Sequence, residues 1–177
     1  LDNSFLNNSI KEEIERLKDT DEQYWQIYGL GIKGISKSTI FNYVEVDHIP
    51  HDAEFISYGA DAGYTNDPTT LVSVYRKDFN LYIKEHIYQT QMTTYDIHKK
   101  WKDVGIERET IYFDSAEPRL IEELRRMGWN VRPSLKGPDS VNAGIDLLKR
   151  FKIHIVKDSN NCIQEFRNYK WQEDRTG

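Results

Sequence analysis

Residues 55–76, Phe-Ile-Ser-Tyr-Gly-Ala-Asp-Ala-Gly-Tyr-Thr-Asn-Asp-Pro-Thr-Thr-Leu-Val-Ser-Val-Tyr-Arg, constrain the fold of this chain more than any other stretch. Phe55–Ala60 and Thr70–Arg76 have the β-branched and aromatic content of strands, and the tip between them is built of Asp, Gly, Asn and Pro. A tip that only reversed the chain could be two residues long. This one is longer and carries two carboxylates, Asp61 and Asp67, with Gly63 between them. Asp61 closes the first run, so a strand end rather than a free loop holds its carboxylate, the usual mounting of a metal or acid/base site. By themselves Asp61-x-Gly63 and Asp67-Pro68 are also ordinary turn chemistry. The choice depends on partner carboxylates elsewhere.

A third run, Asn80–Gln89, follows the short turn Lys77-Asp78-Phe79-Asn80, so the three runs form an antiparallel meander. Ahead of it, Ile40–Ile49 alternates enough to be a strand ended by Pro50. Thr93 or Thr94 caps a helix to about Val104, with Ile97, Trp101 and Val104 on one face and Gly105 as its end. Thr110–Phe113 is a short apolar strand of the kind buried inside a sheet. It ends at Asp114, followed by a helix that starts at Pro118 and ends near Met127, with Gly128 at its cap. Asn130–Arg132 is a brief strand, Val141–Phe151 a helix, Ile153–Val156 a strand and Asn161–Tyr169 a helix.

The coarse order β-β-β-α-β-α-β-α predicts a mixed α/β sheet with helices on both faces. In the usual arrangement the first meander strand lies parallel to the strand after the first helix. Asp61 and Asp114 would then stand side by side at the C-terminal edge, where such sheets place their binding sites.

Residues 1–34 do not read as the start of a domain. Ser9 and Glu12 make a capping box for a short helix through Ile10, Ile14 and Leu17, and Gly29-Leu-Gly-Ile-Lys-Gly34 reads as a linker. Those glycines lack the spacing of a phosphate loop. The expected division is a helical linker remnant over 1–34 and a catalytic-type domain over 35–177.

At 177 residues with 30% charged side chains, the chain is long enough for one domain with a real core. No apolar run reaches the ~20 residues of a membrane span, and the N-terminal residues are too polar for a signal peptide. Cys162 has no partner in the sequence and reads as a small buried hydrophobe. The net charge of −5 is unevenly placed. Residues 1–54 hold 5 Lys/Arg against 11 Asp/Glu, whereas residues 119–157 hold 9 against 4. A basic later half can face a polyanion despite the overall sign, although solvated helix faces explain the same composition.

Two adjacent carboxylates at an open edge repel each other, so such a pair generally exists because a cation holds it together. Oxygen ligands without His or Cys favour Mg²⁺ or Mn²⁺ over zinc. Two such ions about 4 Å apart are the arrangement that hydrolyses phosphodiesters. Asp61 would bridge the metals, Asp114 would bind one, and Asp67 would bind directly or through water.

Three segments, Asp61-Ala-Gly-Tyr-Thr-Asn-Asp-Pro-Thr-Thr, Ile-Tyr-Phe-Asp114-Ser-Ala-Glu-Pro and Lys136-Gly-Pro-Asp-Ser…Gly144-Ile-Asp-Leu-Leu, together resemble the ribonuclease-H-like nuclease superfamily. More closely they resemble the nuclease domain of tailed-phage large terminases. The opening Leu1-Asp2-Asn3 and the run Tyr28–Gly34 look like that family's passage from ATPase to nuclease. The resemblance implies a ribonuclease-H-like fold and cleavage of concatemeric double-stranded DNA during viral genome packaging. It also implies ATP used only in an ATPase domain absent here, portal protein and small terminase subunit as partners, and the host cell cytoplasm as location. The family places a further acidic ligand on a later helix, in a His-x-x-Asp-Ala-type segment, and nothing after Asn161 matches it. A trimmed fragment lacking that ligand is the expectation, with weak or no cutting of its own.

Lys136, Arg132 and Arg119 are the candidate phosphate contacts, with Arg125 and Arg126 in the same basic stretch; a solvated loop accounts for Lys136 and ordinary surface for each arginine equally. Glu117 is read as a charge favoured by a helix N-terminus. Trp101, Trp129 and Trp171 are read as packing residues, and His86, His98 and His154 are assigned no role. Two other classes fit the same residues: a resolvase- or transposase-like nuclease, and a non-catalytic DNA-binding or motor-docking module.

Overall fold

The structure, a computed structural model, describes residues 39–135 and 137–171, with Lys11, Glu15 and Trp25 singly. The chain divides into two compact units, residues 1–39 and 40–177. The capped helix and the glycine linker expected before residue 35 lie outside the described residues. Among the described residues no helix is long and apolar enough to cross a membrane.

Seven strands run β1 Tyr43–Val46, β2 Glu54–Asp61, β3 Thr69–Lys77, β4 Asn80–Gln89, β5 Ile111–Phe113, β6 Val131–Pro133 and β7 Lys152–Val156. Among the described residues of this unit four helices accompany them: α1 Thr94–Val104, α2 Pro118–Arg126, α3 Ser140–Leu148 and α4 Asn160–Asn168. The sheet order is β1-β7-β4-β3-β2-β5-β6. The β2–β3–β4 meander is antiparallel, and every other pairing is parallel. The chain therefore carries one more strand at the front and one more strand–helix pair than the coarse order β-β-β-α-β-α-β-α. The sequence names each of these elements singly, as Ile40–Ile49, Asn130–Arg132 and Val141–Phe151; the coarse order leaves them out because β1 and β6 are short, β6 burying only Val131. Although it precedes the meander, β1 pairs with β7 at the far edge of the sheet.

Local chemistry accounts for the boundaries. Asp78 takes a positive φ of 52° in the two-residue turn that sets the β3–β4 register. Thr93 caps α1 in a reciprocal capping box with Asp96, and Gly105 ends it with φ 84°. Pro118 opens α2, where a missing N–H costs nothing.

Helices cover both faces. On one face Leu71, Ile87, Ile111 and Phe113 pack with Ile97 and Trp101 of α1 and with Ile121 and Leu124 of α2. Trp101 is fully buried, 5.4 Å from Trp129 edge to face. A second, smaller cluster joins Phe41, Ile153 and Ile155 to Ile145 of α3 and Ile163 of α4. Trp171 is 52% exposed with the Lys149 ammonium 5.5 Å above its ring, so it is not a core residue. His86, His98 and His154 bond Ser73, Trp129 and Asn80 respectively.

Candidate active site at the C-terminal edge of the sheet

β2 and β5 run parallel in the register Tyr58–Ile111, Gly59–Tyr112, Ala60–Phe113. Asp61 and Asp114 are the next residues on these two adjoining strands, whose backbones lie roughly 4.8 Å apart. The pleat gives Asp61 the face of Gly59 and Asp114 the face of Tyr112, and Gly59 and Tyr112 are register partners. That face is the open one here: Tyr112 is exposed, while Ile111 and Phe113 are buried under α1 and α2.

Each carboxylate is oriented by backbone. Asp61 Oδ1 accepts from the N–H of Ala62 at 2.9 Å. Asp114 Oδ1 accepts from the N–H of Ala116 at 2.9 Å, an Asx turn that leads the chain into α2. Asp61 is exposed and Asp114 half-buried.

Asp67 stands exposed on the loop from Ala62 to Pro68, and that loop is tightly closed. A Cβ on Gly63 would overlap the Asp67 carbonyl and lie 2.6 Å from Asp67 Cβ, so only glycine fits there. Thr69 Oγ1 donates to the Gly63 carbonyl at 2.9 Å, and Gln91 N–H donates to the Tyr64 carbonyl at 2.8 Å. Beside the loop, Gly63, Tyr64 and Thr69 share a cavity of about 380 Å³ with Thr93 and Glu117. Glu117 occupies the N-cap position of α2 without a side-chain cap bond. Sequence reasoning missed Thr69. In the sequence it stands just ahead of the Thr70–Arg76 run, next to Pro68; the structure starts β3 at Thr69 itself.

The basic candidates are dispersed. Arg119 is exposed in the first turn of α2, in a shallow depression with Glu122, Glu123 and Arg126. Arg126 pairs with Glu122 at 3.0 Å, and Arg125 Nε donates to the Val131 carbonyl, so that side chain supports β6. Arg132 is exposed on β6 beside Tyr112. Lys136 lies outside the described residues.

Among the described residues no three His, Cys, Asp or Glu side chains converge on a single point. The edge therefore offers a pair, Asp61 and Asp114, with Asp67 on the adjoining loop. That donor set fits a hard divalent cation that keeps several waters and takes the rest of its shell from a phosphate.

Comparison with known proteins agrees with this architecture. The chain is 27% identical over 189 residues to the PBSX phage terminase large subunit of Bacillus subtilis (strain 168), covering 99% of this chain but 43% of that protein. It thus spans less than half the length of that relative. The nuclease domain of the large terminase from bacteriophage SPP1, solved with bound Mn, superposes with a TM-score of 0.66 at 24% identity. The match covers 79% of this chain and 85% of that domain. The large terminase of a thermophilic bacteriophage superposes with a TM-score of 0.61 at 23% identity, over 97% of this chain and 47% of that one. Residues 61–177, from the first carboxylate onward, match the family described as Terminase RNAseH like domain. The chain belongs to the terminase ribonuclease-H-like domain family.

Proposed function

We propose that this chain is the metal-dependent endonuclease domain of a viral DNA-packaging terminase large subunit, cutting concatemeric double-stranded DNA by phosphodiester hydrolysis. The observation that carries the reading is the β2–β5 register, which brings Asp61 and Asp114 to neighbouring strand ends on the open face of the sheet. Asp61 and Asp114 would hold Mg²⁺ or Mn²⁺, with Asp67 contributing directly or through water. Bound there, the ion supplies a Lewis acid for the phosphate and a more acidic water.

The chain's own residues do the rest. The two strand ends fix the carboxylates on rigid backbone at the edge of the sheet, where a duplex can approach them. Arg119, Arg132 and Lys136 contact phosphates in a sequence-independent way, which steers the duplex without reading it. Portal protein and small terminase subunit are the proposed assembly partners, in the host cell cytoplasm.

The test is nicking of supercoiled plasmid in Mn²⁺, Mg²⁺ or EDTA, using this chain and a C-terminally longer version of the same protein. Metal-dependent nicking that disappears in both Asp61→Asn and Asp114→Asn supports the reading. Absence of cleavage from both lengths, with duplex binding intact, favours a binding or docking module instead. Preference for four-way junctions over linear duplex favours a resolvase-like enzyme.

A further inference from the structure

We propose that Thr69 is the positioning residue of the loop that carries Asp67, its hydroxyl fixing where Asp67 stands relative to Asp61 at the sheet edge. The inference rests on the metal-dependent reading above. Thr69 is the first residue of β3 and is 1% exposed, so its side chain is enclosed in the fold. A buried hydroxyl is unfavourable unless it is bonded, and this one spans the loop to the Gly63 carbonyl at 2.9 Å. Asp61 lies two residues before Gly63 and Asp67 two residues before Thr69, so the bond clamps the loop between its two acids.

The clamp acts together with the contact of Gly63 against Asp67. With those two points closed and Tyr64 held by Gln91, the arms of the loop keep one spacing. Packing alone does not call for a threonine here. Valine has nearly the same shape and suits a strand at least as well. What threonine adds is the donor, and the donor is spent on the loop.

The measurement is Mn²⁺ binding by titration calorimetry, with far-UV circular dichroism to confirm folding. The proteins compared are wild type, Thr69→Val, Thr69→Ser and Asp61→Asn. Thr69→Val is expected to weaken Mn²⁺ binding about three- to tenfold, the worth of one hydrogen bond, and Thr69→Ser to restore it. Thr69→Ala replaces the valine variant if the latter does not fold. Wild-type affinity in the hydroxyl-less variant, or equal losses with valine and serine, overturns the positioning role while leaving the metal reading intact. An Asp61→Asn protein that binds Mn²⁺ like wild type overturns the metal reading whatever Thr69 does. A wild-type chain that binds no Mn²⁺ overturns both.

Discussion

The half of the sheet that carries Asp61 and Asp114 is held by the larger apolar core, whereas the half that carries α3 and α4 combines a smaller apolar cluster with polar contacts between its elements. Around β2, β5 and β6 the fully buried residues include Trp101, Phe113, Ile97 and Leu124, with Trp101 packed edge to face on both Phe113 and Trp129. Around β7 and α4 the fixing points are different. Glu85 of β4 accepts from Asn161 Nδ2 at 2.7 Å and from the Cys162 N–H at 2.6 Å, while its own N–H donates to Ser159 Oγ at 2.9 Å. The Glu85 carboxylate thus serves one free backbone N–H in the first turn of α4, that of Cys162, and the Asn161 side-chain amide from a neighbouring strand. An apolar groove of about 350 Å³ lies between α3 and α4, lined by Phe41, Val141, Ile145 and Phe166. The difference teaches where a demanding site can be mounted: on strands whose undersides are filled to capacity, since close-packed interiors leave backbone little room to shift.

The sharpest way to break this contrast is to empty the bulky side. Trp101→Ala removes a fully buried indole and should cost about 3–5 kcal/mol, measured by urea unfolding, with Mn²⁺ binding lost alongside stability. If the bulk is as rigid as the packing indicates, small-to-large changes at its rim are also felt. Gly63→Ala forces a methyl against Asp67 and should destabilise by about 1–3 kcal/mol, and Mn²⁺ affinity should fall in the same protein. A Gly63→Ala protein with unchanged affinity would show that the loop does not set the carboxylates.

Glu85→Ala tests the polar side. Leaving the first turn of α4 without its acceptor should cost about 1–3 kcal/mol in the same urea assay, with faster hydrogen exchange in α4 and Mn²⁺ binding preserved. The smallest effect at neutral pH belongs to Cys162. Burial, with Glu85 and Glu165 nearby, pushes its thiol up to about 12, so a thiol reagent at pH 8 should react much more slowly with the folded chain than with the unfolded one. The folded pKa lies above the unfolded value of 9.0. The contribution to stability is therefore complete below pH 9 and is lost as pH rises from there toward 12. Cys162→Ala should flatten that alkaline decline in a pH series of thermal melts.

Much of this was legible before any coordinates. Pro118, Gly105 and Thr93 mark helix boundaries because caps are chosen by local backbone chemistry, and they fall where that chemistry places them. Phe55–Ala60 and Thr70–Arg76 read as paired strands because each carries its β-branched and aromatic residues locally. Asp61 and Asp114 stood out as carboxylates ending apolar runs, and the parallel order of their strands followed from the usual path of a meander into a crossover.

Other features had no local signal. The pairing of β1 with β7 joins residues more than a hundred positions apart, and four alternating residues cannot state their partner. The support of α4 by Glu85 and of the Ala62–Pro68 loop by Thr69 depends on which groups meet after the sheet closes. The elements, their caps and the two acids that end neighbouring strands are written in the chain, because they depend on short-range sterics and hydrogen bonding. That Gly63 must be glycine, that Thr69 spends its hydroxyl on the loop, and which half of the sheet carries the larger apolar core emerge only on folding. Those outcomes depend on contacts between distant segments, whose distances no spacing along the chain encodes.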